Sequence, residues 1–316
     1  MQHRSPVNSG IEEMESAVVC YREYAPRAAL RAHIRAFFSF VPADGTGSPR
    51  RHLTREVRFA AGESFSAPLF ADASTSIVFD LGTTCGTNGV WGGASDGAPR
   101  SRVIGAMSHV GASGPTSGLP AMVGVYFHPA RATAFMRLPL SELTDRIATV
   151  ADVWGAAATD LPDELDALDE AARIDRLERE LERQFEHQCG PRTSIDVPGI
   201  AECVSRSGGR ASIAWLADAA GVSRQRLARV FREAVGVSPK VFSRLARFRA
   251  ALAYAGAGEQ IAWAPVAAAL GYADQSHMIA DFREFSSLTP QQLASGRVFH
   301  PFIERLRRAP NPDAAR

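Results

Sequence analysis

The chain has 316 residues, 46% of them apolar and 22% charged, with a formal net charge of +1. That length suits two domains better than one core, the composition is that of a globular protein rather than a disordered or fibrous one, and no run approaches the roughly 18 apolar residues of a membrane span. The four cysteines, Cys20, Cys85, Cys189 and Cys203, form no C-x-x-C pair, which argues against a zinc site or disulfide framework and for reduced thiols in a cytoplasm.

Residues 1–17 hold no apolar stretch and read as a flexible tail, not a signal peptide. Between 18 and 137 short apolar runs, "AFFSF", "REVRF", "TSIVFDLG" and "MVGVYF", alternate with Gly, Ser, Thr and Pro. This spacing predicts a compact, mainly β domain, a sandwich or small barrel. "RAALRAHIRAFFSF" also admits a short helix at its start, and "SDGAPRS" and "GASGPTSGLP" read as loops.

The pattern changes over 138–190. Leu165, Leu168, Leu177, Leu181 and Phe185 recur at helical intervals among charges, the mark of an amphipathic helix or helix pair. Its apolar face packs on its own domain in the plainer reading, and serves as a linker or dimer contact in the sharper one. "GPRTSIDVPG" then suggests a boundary, with a linker over 191–204. Residues 205–295 read as helix throughout, broken at "GV", "GVSP", "GAGE", "GYAD" and "LTP", and 296–316 read as a C-terminal tail. The fold class expected is therefore α+β with two domains, a mainly-β one followed by an all-α one.

The small net charge hides an asymmetry. Between Val204 and Ala255 ten basic residues (Arg206, Arg210, Arg224, Arg226, Arg229, Arg232, Lys240, Arg244, Arg247, Arg249) face two acids, Asp218 and Glu233. Such a stretch is suited to a polyanion. The same region writes one frame twice, "FREAVGVSPK" from Phe231 and "FREFSSLTPQ" from Phe282, 51 residues apart. Upstream of the first, Ala217, Gly221 and Leu227 have helix-turn-helix spacing: a small residue where helices cross, a glycine ending the first helix, and Ser223 as N-cap of the next. Upstream of the second, Ala267, Gly271 and the cap Asp274 repeat the pattern. Phe231 and Phe282 are expected in the core, Pro239 and Pro290 at the first positions of following helices. A rod over Val241–Tyr254, about 21 Å long, would join the two units.

Residues 205–295, through "IAWLADAAGVSRQRLARVFREAVGVSPK" and "VAAALGYADQSHMIADFREFSSLTPQQL", resemble the DNA-binding domain of the AraC/XylS family of bacterial transcription regulators. "GVYFHPARATAFMRLPLSELTDRIATVADVWG" resembles the segment closing that family's cupin-like sensory region. The resemblance implies a sequence-specific regulator, activator or repressor, that binds double-stranded DNA. It also implies control by an unidentified small-molecule effector or a partner, with RNA polymerase and a second copy of the chain as further partners, and action in the cytoplasm. It places base reading on Arg224, Gln225 and Arg229 in the first unit and on Gln275, Ser276 and His277 in the second. Arg and Gln offer the bidentate donors and acceptors that guanine and adenine edges require. Ala228, Ile279 and Ala280 fall on the same faces but cannot hydrogen-bond a base. Phosphate contacts fall to Ser223, Arg226, Lys240, Arg244 and Arg283, adding affinity without sequence information.

No cofactor or metal is expected: His52, His109 and His128 form no H-x-H or H-x-x-E cluster, which also speaks against a cupin oxygenase. Trp91, Trp154, Tyr126 and Phe127 line an effector pocket or simply fill the core, and Glu142 and Asp145 read as helix-start acids. The alternative function is a DNA-modifying enzyme of the alkyl-transferase type that uses the double unit for targeting. It would need an activated cysteine.

Overall fold

The computed structural model describes residues 18–42, 53–60, 70–81, 86–87, 99–111, 116–117, 121–187, 194–255 and 261–295. The expected tails at 1–17 and 296–316, together with His52, Cys85, Trp91 and Cys189, lie outside the described residues. No helix among the described residues is long and apolar enough to cross a membrane.

Each of the four apolar runs becomes a strand, because β-branched and aromatic side chains fit a pleated, buried surface. The strands are β1 (Val18–Tyr24), β2 (Ile34–Pro42), β3 (Leu53–Ala60), β4 (Ser76–Asp80), β5 (Gly86–Thr87), β6 (Ser101–Ile104), β7 (Thr116–Ser117), β8 (Met122–Phe127) and β9 (Ile147–Ala148). Seven form one antiparallel sheet in the order β3-β1-β2-β8-β4-β6-β9, and β5 pairs with β7. The start of "RAALRAHIRAFFSF" is a turn closed by Ile34 N–H to Leu30 O at 2.8 Å, not a helix. Both sheet faces are buried. One carries Phe37, Ile77, Phe79, Val123 and Val125, and the other carries Tyr21, Phe38, Phe40, Val78 and Met122.

Three helices cover the first face: α1 (Val150–Trp154), α2 (Leu161–Asp166) and α3 (Glu170–His187). Leu165, Ile174, Leu177 and Leu181 enter the sheet core, so most of the amphipathic stripe packs on its own domain, while Leu168 is half-buried and Phe185 is 39% exposed. Charges reinforce the seat: Arg27 reaches Asp175 at 2.7 Å and Glu178 at 3.0 Å, and Arg22 pairs with Glu170 and, at 2.9 Å, with Glu56. Hydrogen bonds from Arg22 and Arg58 hold the Glu56 carboxyl below the usual carboxylate range. Trp154 and Phe127 are core residues, and the Trp154 indole N–H donates to Phe135 O at 2.8 Å.

The second domain is wholly helical: α4 (Val197–Arg206), α5 (Ile213–Ala219), α6 (Arg224–Val235), α7 (Pro239–Ala255), α8 (Trp263–Ala269), α9 (Gln275–Ser286) and α10 (Pro290–Ala294). The linker expected over 191–204 is corrected here. Asp196 accepts from Gly199 N–H and starts α4, whose Val197, Ile200, Ala201 and Val204 lie in the second core. The Gly/Pro-rich signal marked a capped helix start rather than a spacer. Five residues of the first domain, Phe70, Ala71, Ala73, Ala106 and Ala130, join that same core, so the two domains share an apolar seam.

Candidate nucleic-acid interface

The two helix pairs are built alike. α5 ends at Gly221 (φ 64°) with Val222 N–H bonded to Ala217 O at 3.0 Å; α8 ends at Gly271 (φ 74°) with Tyr272 N–H bonded to Ala267 O at 3.0 Å. These backward bonds satisfy carbonyls that a helix end leaves open, and the left-handed residue they require explains both glycines. Ser223 then caps α6 by accepting from Arg226 N–H at 3.2 Å, and Asp274 caps α9 by accepting from His277 N–H at 2.8 Å. Leu227 and Phe231 of α6, like Met278 and Phe282 of α9, are fully buried. Ser238 and Thr289 cap the following helices with Pro239 and Pro290 at their first positions.

The buried stripes fix what faces outward. Arg224, Gln225, Arg226 and Arg229 are exposed on α6, with Ala228 half-buried among them. Gln275, Ser276, His277 and Ala280 are exposed on α9, with Ile279 half-buried. The His277 ring stands edge-on to Tyr272 at 5.4 Å between centroids, which restricts its swing. Ser223, Lys240 and Arg283 are exposed nearby.

The rod is α7, 17 residues or about 25 Å. Phe242 packs edge-on against Phe231 of α6 at 5.4 Å, and Phe248 against Phe282 of α9 at 4.9 Å. One helix therefore seats both outward-facing helices.

Arg244 departs from the sequence expectation. The sequence expectation places it on phosphate, but its guanidinium binds the buried Asp281 carboxylate at 2.6 Å and Glu284 at 2.6 Å, and lies 4.9 Å above the Phe285 ring. The carboxylates hold the guanidinium charged, and the group serves to fasten α7 to α9. Three more of the ten basic residues are engaged internally. Arg210 reaches Ala269 O at 3.4 Å, Arg247 reaches Gly271 O at 3.2 Å, and Arg249 pairs with Asp72 at 3.2 Å. What faces outward as a basic surface is Arg206, Arg224, Arg226, Arg229, Arg232 and Lys240, near the first helix pair and the turn after it.

In the first domain Asp145 is a loop clamp rather than a helix-start acid: at φ 55°, its carboxylate accepts from Ser108 N–H at 2.6 Å and Ser108 Oγ–H at 2.7 Å. Glu142 does lie in the first turn of a short 3-10 segment, Leu140–Leu143. Among the described residues no three His, Cys, Asp or Glu side chains converge as a metal site. A cavity of about 330 Å³ opens between the sheet domain and α7, walled by Phe242, Leu245 and Ala250 and rimmed by Arg35, His128 and Arg249. Nothing in the sequence marks it, since its lining joins α7 to Arg35 and His128, each more than a hundred residues from that helix.

Two capped helix pairs, joined by one rigid helix and each presenting a polar outer face, define a double helix-turn-helix DNA-binding protein. The profile of the helix-turn-helix domain matches residues 216–296, and that of a domain of unknown function (DUF6597) matches residues 22–149. Residues 216–296 thus carry a helix-turn-helix domain of the AraC type. No curated protein sequence matches it. Among solved structures, ToxT from Vibrio cholerae at 1.65 Å is 10% identical, with 74% of this chain and 94% of that chain covered and a TM-score of 0.40. Unsaturated fatty acid bound ToxT is also 10% identical, with 95% and 100% covered and a TM-score of 0.36. At such values nothing further follows for the present chain.

Proposed function

We propose that the chain is a transcription regulator of the AraC family that reads duplex DNA through Arg224, Gln225 and Arg229 of α6 and through Gln275, Ser276 and His277 of α9. Ser223, Arg226, Lys240 and Arg283 bind phosphate, and Arg244 leaves that set. The observation that carries this reading is the exposure of these side chains on matching faces of two helices, each N-capped by a side-chain oxygen and both seated on α7. Helices so held present their N-terminal residues to neighbouring major grooves, whose repeat is about 34 Å. A small molecule bound to the N-terminal domain biases this binding, and the cavity beside α7 supports that part. RNA polymerase and a second copy of the chain as partners, and a cytoplasmic site of action, belong to the same reading.

Within this proposal the chain acts as a regulator, and neither cysteine among the described residues is set for alkyl transfer. Such chemistry needs an activated thiolate. Cys20 is buried, and burial pushes its thiol up, away from reactivity. Cys203 is half-buried on α4 against the second core.

The test is selection from a randomised duplex pool with the full chain, followed by affinity measurements on the selected site at several salt concentrations. The expected result is a defined motif whose affinity falls steeply with salt. Arg229→Ala should flatten preference at one position, whereas Lys240→Ala should weaken every sequence alike. If both variants keep wild-type affinity and selectivity, the groove assignment is wrong.

A further inference from the structure

The C-terminal ends of α6 and α9 point away from their reading residues, and both are capped by the other domain. The last carbonyls of a helix have no partner within it. Here the Gly236 carbonyl, at the end of α6, accepts from Thr144 Oγ–H at 2.5 Å. At the end of α9, the Phe285 carbonyl accepts from Ala71 N–H at 2.9 Å and the Glu284 carbonyl from Val110 N–H at 3.2 Å. Apolar contact backs the polar one. Ala71 and Ala106 are fully buried in the second core, and a Cβ at Gly236 would stand 2.9 Å from the Ala106 Cβ.

The donors sit on stiff ground. Val110 and Thr144 flank a loop pair that Asp145 ties together through Ser108 and through its own N–H to Ala106 O at 3.0 Å. Gly105 lies so close to the facing segment that a Cβ there would come within 1.9 Å of Leu143 O. Asp72, next to Ala71, pairs with Arg249 of α7.

We propose that these residues of the N-terminal domain, Thr144 and Ala106 at one helix and Ala71 and Val110 at the other, are positioning residues for DNA reading. They form a bracket that sets the mutual placement of the two reading helices and so the spacing between the two base elements that the chain accepts. α7 holds the helices along one side, and the bracket holds their far ends. Adding one base pair between two elements moves the second by about 3.4 Å and turns it by about 34°, which two supports resist and one does not. The proposal rests on the assignment of α6 and α9 as groove readers.

The test uses the full chain and a set of duplexes carrying the selected motif with its two elements brought closer or moved apart by one and two base pairs. Wild type should lose about tenfold or more in affinity per step, the scale of one misplaced contact set. Thr144→Val with Ala106→Leu removes one donor and wedges the contact from the sensory side, leaving every reading side chain in place. Its losses should shrink to about threefold while base preference within each element is unchanged. Asp72→Asn, a milder change, should shift the profile in the same sense. A purely structural role would lower the active fraction equally on every duplex, and that outcome overturns the bracket. So does a variant that binds all spacings more tightly by one common factor, which would mark the seam as inhibitory. If wild type selects no site at all, the groove assignment falls and takes the bracket with it.

Discussion

The two helix-turn-helix units share a frame and differ in how they use charge. In the first unit, Arg224, Arg226, Arg229 and Arg232 all face solvent, held only by a long contact of Arg229 to Glu233 at 3.7 Å. In the second, the buried Asp281 of α9 takes up Arg244, and Tyr272 lies under Arg247 at 5.2 Å. The outward residues there are Gln275, Ser276, His277 and Ala280, with a single arginine, Arg283, further along. Duplicated backbone geometry therefore carries two divisions of labour. The first unit exposes more arginines to solvent; the second is bolted to the rod and exposes fewer basic side chains.

The largest expected effect falls on the second unit's bolt. Arg244→Ala strands the buried Asp281 carboxylate, and the partial exposure of the arginine, 24%, limits the cost to about 3 kcal/mol. Chemical denaturation should show that loss, whereas Arg232→Ala on exposed α6 should change stability by less than about 0.5 kcal/mol. Equal effects from the two would erase the contrast in charge use.

Next comes base reading. Arg229→Ala should cost about 1–3 kcal/mol on the selected site and relax preference at one position, by the usual value of a bidentate pair. Gln275→Ala should cost less, and competition binding against a randomised pool compares them directly. A larger loss from Gln275→Ala would reverse the assignment of the dominant reader.

The ends of the reading helices differ too. Both place a left-handed residue there, Gly236 (φ 95°) in the first unit and Ser287 (φ 59°) in the second. Serine pays a steric penalty that glycine avoids, so Ser287→Gly should raise stability by about 0.5–1 kcal/mol, read as a higher melting temperature. Gly236→Ala should do the reverse, for its new methyl meets Ala106. The smallest effect is that of Lys240→Ala, a sequence-independent drop that shrinks the slope of log affinity against log salt by about 1.

Local chemistry was legible in the sequence. The caps Ser223 and Asp274, the glycines 221 and 271, the core phenylalanines and the four apolar strands all follow from spacing and residue type within a window of about ten residues. Long-range pairing was not. Arg244 looked like a surface cation because its partners lie 37 and 40 residues away on another helix. The start of helix α4 reads as a linker in the sequence because Pro and Gly mark starts as well as breaks. The seam formed by Phe70, Ala71 and Ala106 left no periodic trace, since single residues from separate loops meet only once both domains have folded.

The tight approach at Gly105 has a genetic corollary. A missense change there adds atoms where Leu143 O already stands, so the loop pair behind the two helix ends must move. A screen for mutants with altered promoter choice would then recover alleles at codon 105, more than a hundred codons from any base-reading residue and in a part of the gene that a DNA-binding search would leave unsequenced.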